Sequence, residues 1–248
     1  MIYIVYMSKL LAIGINYIGT KYELNGCIND AYNICSLYEK LYDVKNIMML
    51  TDNGLNILPT KKNILDGINW LVSNNKPNTQ LFFHYSGHGS QITDTNGDES
   101  DGKDECINAL DGPITDDELK KLLANKIGDC KLFAIFDSCH SGTIFDLDSK
   151  TDGRYCNCCS SKKSSKSPHI ICFSGSKDEQ VSADTYLDGK YCGALTYCLI
   201  SALNLNPNPS ILLLHDSISR MLKKFKFTQN CVLSTSNSVD VSKTLFTI

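Results

Sequence analysis

Short apolar runs alternate with amphipathic stretches along most of this chain, and no other feature restricts the fold as much. Residues 10–15, 47–50, 81–85, 132–136, 170–173 and 231–234 read as buried strands. Residues 30–42, 61–72, 116–123, 193–203 and 211–225 carry apolar side chains at helical spacing. In the first of these, Ala31, Ile34, Leu37, Tyr38 and Leu41 share one face. Strands apolar throughout and separated by helices imply a mostly parallel sheet covered by helices on both faces. A length of 248 residues, 42% of them hydrophobic, suits one large α/β domain.

Two segments break the pattern. Residues 93–105 (TDTNGDESDGKDE) are acidic, contain no hydrophobe and are expected to form a solvated loop. Residues 149–168, rich in Ser, Lys and Cys, are expected to be a long exposed connection between a larger part, 1–148, and a smaller part, 169–248. Neither part has strands enough for its own sheet, so a single domain over 1–248 is expected. A net charge of −3 argues against a nucleic-acid partner. No apolar run reaches the roughly 18–20 residues a membrane span needs. The opening MIYIVYMSKLLAIGIN has no basic residue ahead of its apolar stretch and runs into a strand, so a signal peptide is not expected. The 12 cysteines are scattered, several of them inside apolar periodic segments, which fits a reduced cytoplasmic protein. Cys156, Cys158 and Cys159 lack the second pair of ligands that a structural zinc site requires.

Two strands end alike. Residues 81–85 run into Ser86-Gly87-His88-Gly89, and 132–136 run into Asp137-Ser138-Cys139-His140-Ser141-Gly142. Ligands of open parallel sheets bind beyond the carboxyl ends of the strands. A Cys and a His there, flanked by residues small enough to let a substrate backbone approach, form a candidate nucleophile and proton-transfer pair. His140 is on an extended chain next to Cys139, so it points away and is read as structural.

With these motifs the chain resembles a metacaspase. The resemblance runs through LAIGINYIGTKYELNGCINDA (11–31), HYSGHGSQ (84–91), DECINALD (104–111), ITDDEL (114–119), DSCHSG (137–142), SGSKDEQVSADT (174–185) and GALTYCLISAL (193–203). The separation of 51 positions from His88 to Cys139 matches the spacing of about 50 found in caspases. The resemblance implies a three-layer α/β/α caspase-like fold with a six-stranded, mostly parallel sheet. It implies a Cys139–His88 dyad and an oxyanion hole from the backbone N–H groups of Gly89 and Cys139.

It further implies a pocket lined by Cys27, Asp30, Ser86 and Asp137 for the residue before the cut. Both of the chain's arginines, Arg154 and Arg220, lie away from the motifs, so carboxylates rather than cations are on offer and cleavage after Arg or Lys is expected. Asp30 also opens a helix, where a carboxylate is at home on its own account. Asp137→Ala is expected to end turnover of Arg substrates and leave the fold intact. Asp104, Asp116, Asp117 and Asp146 match the positions that bind Ca²⁺ in calcium-activated metacaspases, and hard oxygen ligands suit that ion. The acidic run 94–101 lacks the flanking helices and ligand order of an EF-hand. Arg154, Lys162, Lys163 and Lys166, in the exposed connection, are candidate self-cleavage sites. The expectation is thus a calcium-activated, self-processing cysteine endopeptidase acting on proteins or peptides as a monomer. The alternative is a catalytically silent caspase-like interaction module.

Overall fold

The structure is a computed structural model describing residues 8–94, 102–123, 126–139, 144, 147, 149–151, 169–176, 185–236 and 238–244. In chain order its elements begin with β1 (Ser8–Gly14), α1 (Cys27–Tyr42), β2 (Asn46–Thr51), α2 (Lys61–Val72) and β3 (Gln80–Ser86). Then come β4 (Gly89–Thr93), β5 (Lys103–Ala109), β6 (Gly112–Thr115), α3 (Asp116–Leu123), β7 (Lys131–Asp137) and β8 (Ser149–Thr151). Last are β9 (His169–Ser176), β10 (Thr185–Leu187), β11 (Lys190–Cys192), α4 (Ala194–Leu205), α5 (Ile211–Lys224) and β12 (Asn230–Thr235). No helix among the described residues is long and apolar enough to cross a membrane.

All six expected strands pair in one sheet of order β2-β1-β3-β7-β9-β12-β8, and the three-residue β8 adds a seventh, edge position. The first five run parallel; β12 and β8 run antiparallel to their neighbours. All five expected helices form as well.

Side chains alternate across the sheet, which divides the core in two. Leu11, Ile13, Leu81, Phe83, Leu132 and Ala134 pack on one face with Ile64 and Ile68 of α2 and Leu119 of α3. Leu10, Ala12, Phe82, Phe133 and Ile135 pack on the other with Ile34 and Tyr38 of α1, Leu199 of α4 and Ile218 of α5. Burying each Leu, Ile or Phe among them contributes about 1.5–3 kcal/mol. Three helices begin with a side-chain cap: Thr60 Oγ1 accepts from Asn63 N ahead of α2, Thr115 Oγ1 accepts from Glu118 N ahead of α3, and Ser210 Oγ accepts from Leu213 N ahead of α5.

Two expectations need correction. Residues 93–105 are not all solvated loop: Thr93 closes β4, while Lys103, Asp104 and Glu105 open β5, with Asp104 and Glu105 buried. β4, β5 and β6 form a small antiparallel sheet; β4 and β6 are short and β5 opens on charged residues, so none stands out in the sequence. Residues 149–151 likewise are not connection but β8, paired with β12. Residues 152–168 lie outside the described residues.

Phe83 is fully buried and tilted against Phe136, ring centroids 5.1 Å apart. Phe83→Ala is expected to lower stability by about 3–5 kcal/mol in urea unfolding, with loss of transfer free energy and a residual cavity acting together.

Candidate active site

The carboxyl ends of β1, β3 and β7 lie side by side, with Gly14 opposite Ser86 and Ser86 opposite Asp137. From β1 the chain adds β2 on one side and β3 on the other, so a topological switch point opens here. The segment after β1 brings Tyr17 and Tyr22, the turn after β3 brings Gly87, His88 and Gly89, and the end of β7 brings Ser138 and Cys139.

His88 is held from several sides. Its ring Nε2 is 2.8 Å from the Tyr22 carbonyl oxygen. A carbonyl can only accept, so Nε2 carries the proton and Nδ1 is the basic nitrogen of the neutral ring. The Tyr17 ring leans on the imidazole with centroids 4.6 Å apart, and the Tyr22 ring meets it edge-on at 6.3 Å. The His88 N–H donates to Tyr17 Oη at 3.0 Å, and the His88 carbonyl accepts from Tyr85 Oη at 2.7 Å. Tyr17 Oη in turn donates to the Asn108 carbonyl at 2.7 Å. Burial pushes both phenols well above their ordinary range, so they stay protonated donors at neutral pH.

Cys139 is 8% exposed, and its carbonyl lies directly against Gly89. A Cβ at position 89 would overlap that oxygen, so only glycine lets the two turns approach this closely. The backbone beside the thiol and the backbone after His88 are thereby fixed together.

Behind this pair are two buried carboxylates. Asp30, 0% exposed, accepts from Ser86 Oγ at 2.7 Å and from Gly193 N at 3.0 and 2.9 Å through its two oxygens. Asp137, 3% exposed, accepts from Thr196 N at 2.8 Å and from Gln229 Nε2 at 3.2 Å. Both converge on Gly193, where a Cβ would strike Asp137 Oδ2 and come within 2.8 Å of Asp30 Oδ2. Gly193 precedes α4 and offers no side-chain cap, and Asp137 supplies the missing cap from a different element. The positive end of the helix also favours the two negative charges. Asp30, for its part, does not cap α1; Gly26 occupies that position with no side-chain bond.

Asp30, Ser86 and Asp137, three of the four residues that the resemblance assigned to a pocket, are therefore brought together at these strand ends. Cys27, buried at the start of α1, bears electrostatically on the Tyr17 and Tyr85 phenols and holds its carbonyl against Gly14. A cleft of about 420 Å³ between α1 and α4 also reaches Asp30, lined by Asn33, Leu37, Lys40, Cys192 and Tyr197 among others. Neither His88 nor Cys139 lines it, so it is a separate groove.

Of the expected metal ligands, Asp104 and Asp116 are buried and both bear on Cys106, whose thiol is pushed up to about 12 by burial first and by Asp116, Asp104, Glu105 and Glu118 after it. Asp117 adjoins Asp116 at the start of α3. Among the described residues no three His, Cys, Asp or Glu side chains are grouped to hold a metal. Asp146, His140, Arg154, Cys156, Cys158, Cys159, Lys162, Lys163 and Lys166 lie outside the described residues.

Several participants were not read from the sequence: Tyr17, the Tyr22 carbonyl, Gly193, Thr196 and Gln229. A glycine at the head of the helical stretch 193–203, with no capping side chain, was the one available sign that a cap comes from elsewhere.

A match described as "Metacaspase, peptidase C14 domain" covers residues 8–148. Metacaspase-1 of Candida glabrata is 37% identical over 94% of this chain and 74% of its own length. The chain belongs to the metacaspase family. Metacaspase-1A of Neurospora crassa is likewise 37% identical over 94% of this chain, which spans 63% of that relative. A crystal structure of a Geobacter sulfurreducens protein shares the fold, with a TM-score of 0.69, 24% identity and coverage of 95% and 96% of the two chains. Membership makes this metacaspase a caspase-like cysteine peptidase, and its three-layer α/β/α fold accords with that.

The expectation that Asp137→Ala leaves the fold intact is revised by the bond to Thr196. Removing the carboxylate leaves the Thr196 N–H and the Gln229 amide without their acceptor, and is expected to lower stability by about 2 kcal/mol. Asp137→Asn, which keeps an acceptor for Thr196 N, should lose less; thermal unfolding of the two variants side by side measures the difference.

His84 lies beneath the site on the same face as Ser86 and Asp137, its Nε2 3.1 Å from Thr196 Oγ1. Burial lowers its pKa from 6.5 to about 3. Between those values the unfolded chain binds a proton that the folded chain does not, so stability falls as pH drops through that window. From pH 6.5 to 4.5, wild type is expected to lose about 2–3 kcal/mol more than His84→Gln in urea unfolding.

Proposed function

We propose that this metacaspase is an endopeptidase that cuts after Arg or Lys, with Cys139 as nucleophile and His88 as its proton-transfer partner. The observation that carries the reading is the apposition of Gly89 and Cys139, beside a histidine whose Nε2–H is committed to the Tyr22 carbonyl. With Nε2 so engaged, Nδ1 is the nitrogen left to take the thiol proton. The thiolate then attacks the scissile carbonyl, whose developing oxyanion the N–H groups of Gly89 and Cys139 stabilise. Collapse breaks the C–N bond, and the amine leaves with the proton from His88. Water then attacks the thioester, giving its proton to Nδ1; the carboxylic acid departs and the thiol is restored.

Two facts support basic specificity. Asp30 and Asp137 are buried side by side, and among the described residues Asp137 has no cationic partner. A guanidinium or ammonium group entering beside them gains charge-assisted hydrogen bonds where water is excluded.

Calcium enters the proposal through Asp104, Asp116, Asp117 and Asp146. Asp104 and Asp116 already crowd one thiol, and a bound Ca²⁺ would offset their repulsion with hard oxygen ligands. Self-cleavage enters through Arg154, Lys162, Lys163 and Lys166, each a residue of the proposed specificity. A monomer is supported by β8, which takes the edge of β12 that would otherwise be open to a second copy. A reducing, cytoplasmic setting is supported by nine described cysteines that all stand as buried thiols.

Peptides with Arg, Lys or Asp before the cut, with and without calcium, test the reading. Wild type is expected to cleave the first two in calcium and Cys139→Ala none. Asp137→Asn should lose at least ~100-fold in kcat/KM on the basic peptides. Cleavage after Asp, or full activity in Asp137→Asn, would overturn the specificity. Calcium should raise the melting temperature of wild type and not of Asp116→Asn. On a gel, wild type in calcium should yield fragments cut within 154–166 that Cys139→Ala does not.

A further inference from the structure

Gln229 precedes β12 and is 3% exposed. Its side chain crosses Gly175 of β9, where a Cβ would overlap the amide nitrogen. Nε2 donates to Asp137 Oδ1 at 3.2 Å. A carboxylate oxygen only accepts, so the amide must turn its NH₂ that way and its carbonyl the other. That carbonyl, Oε1, is buried and meets no donor among the described residues. Buried acceptors are ordinarily satisfied, and one left open beside a specificity carboxylate suits a donor that arrives with the substrate.

We propose that Gln229 is a specificity-determining residue that favours Arg over Lys before the cut. The inference rests on the basic specificity proposed above and adds to it. A guanidinium spreads five N–H groups over a rigid planar fork, so it can meet a carboxylate and a neighbouring amide oxygen at once. An ammonium donates from a single, strongly hydrated atom and gains less from a second acceptor set to one side. A residue that merely oriented Asp137 would aid both substrates equally. The Arg/Lys ratio is therefore the decisive readout.

Two variants are compared with wild type on peptides identical except for Arg or Lys before the cut. Gln229→Met keeps the length and shape of the side chain without the acceptor. Gly175→Ala keeps Gln229 and forces its amide to shift, so it carries the test if Gln229→Met does not fold. Each is expected to lose about 10-fold in kcat/KM on the Arg peptide, through KM, and less than ~3-fold on the Lys peptide. An unchanged Arg/Lys ratio in a folded variant overturns the role of Gln229 and leaves basic specificity standing. A wild type that cuts neither peptide overturns both.

Discussion

The parallel pairing of β3 with β7 sets Ser86 opposite Asp137, and the site depends on that register. Side chains alternate along a strand, so a shift of one residue would turn Asp137 to the opposite face of the sheet. It would then meet the helices α2 and α3 in place of α1 and α4. Phe82, Phe133 and Ile135 on one face, with Phe83 and Phe136 on the other, make such a shift prohibitive because each fits a separate apolar layer. The core thereby aligns the carboxylates, and the turns that leave the same strand ends carry His88 and Cys139.

Stability and specificity meet in Asp137. It caps α4 in place of Gly193 and takes an amide from Gln229, yet it is also the group proposed to read the substrate. Each of its oxygens takes one neutral donor, at a helix terminus, and so still has lone pairs to offer a cation. The His88 side is built in the same manner. Tyr17 and Tyr85 tie the His88 backbone to Asn108 of β5, so the small sheet steadies the turn that bears the imidazole.

The main sheet was legible because each of its six longer strands carries an apolar run. The helices were legible because one stripe of each is apolar; α2 and α3 fall at the very residues their spacing marked. β4, β5 and β6 were hidden by Asp104, Glu105 and their neighbours, whose charges read as solvent exposure although two of them are buried. At the site, Cys139, His88, Asp30 and Asp137 stood out through side-chain chemistry and motif. Tyr22 contributes a carbonyl that every residue type possesses, so nothing in its side chain marked it. Gln229 and Thr196 are ordinary polar residues about 30 apart in sequence that only folding brings to one carboxylate.

The order in which the strands lie has a consequence for a chain broken anywhere within 152–168. Reading across the sheet from β7, the strands come from before, after, after and before that stretch: β7, β9, β12 and β8. Two fragments would thus be interleaved like the fingers of clasped hands, with β8 of the first gripping the far edge of the second. Severing the backbone there removes a tether and leaves the ladder of hydrogen bonds whole, so the pieces would travel as one particle until the sheet itself is unfolded.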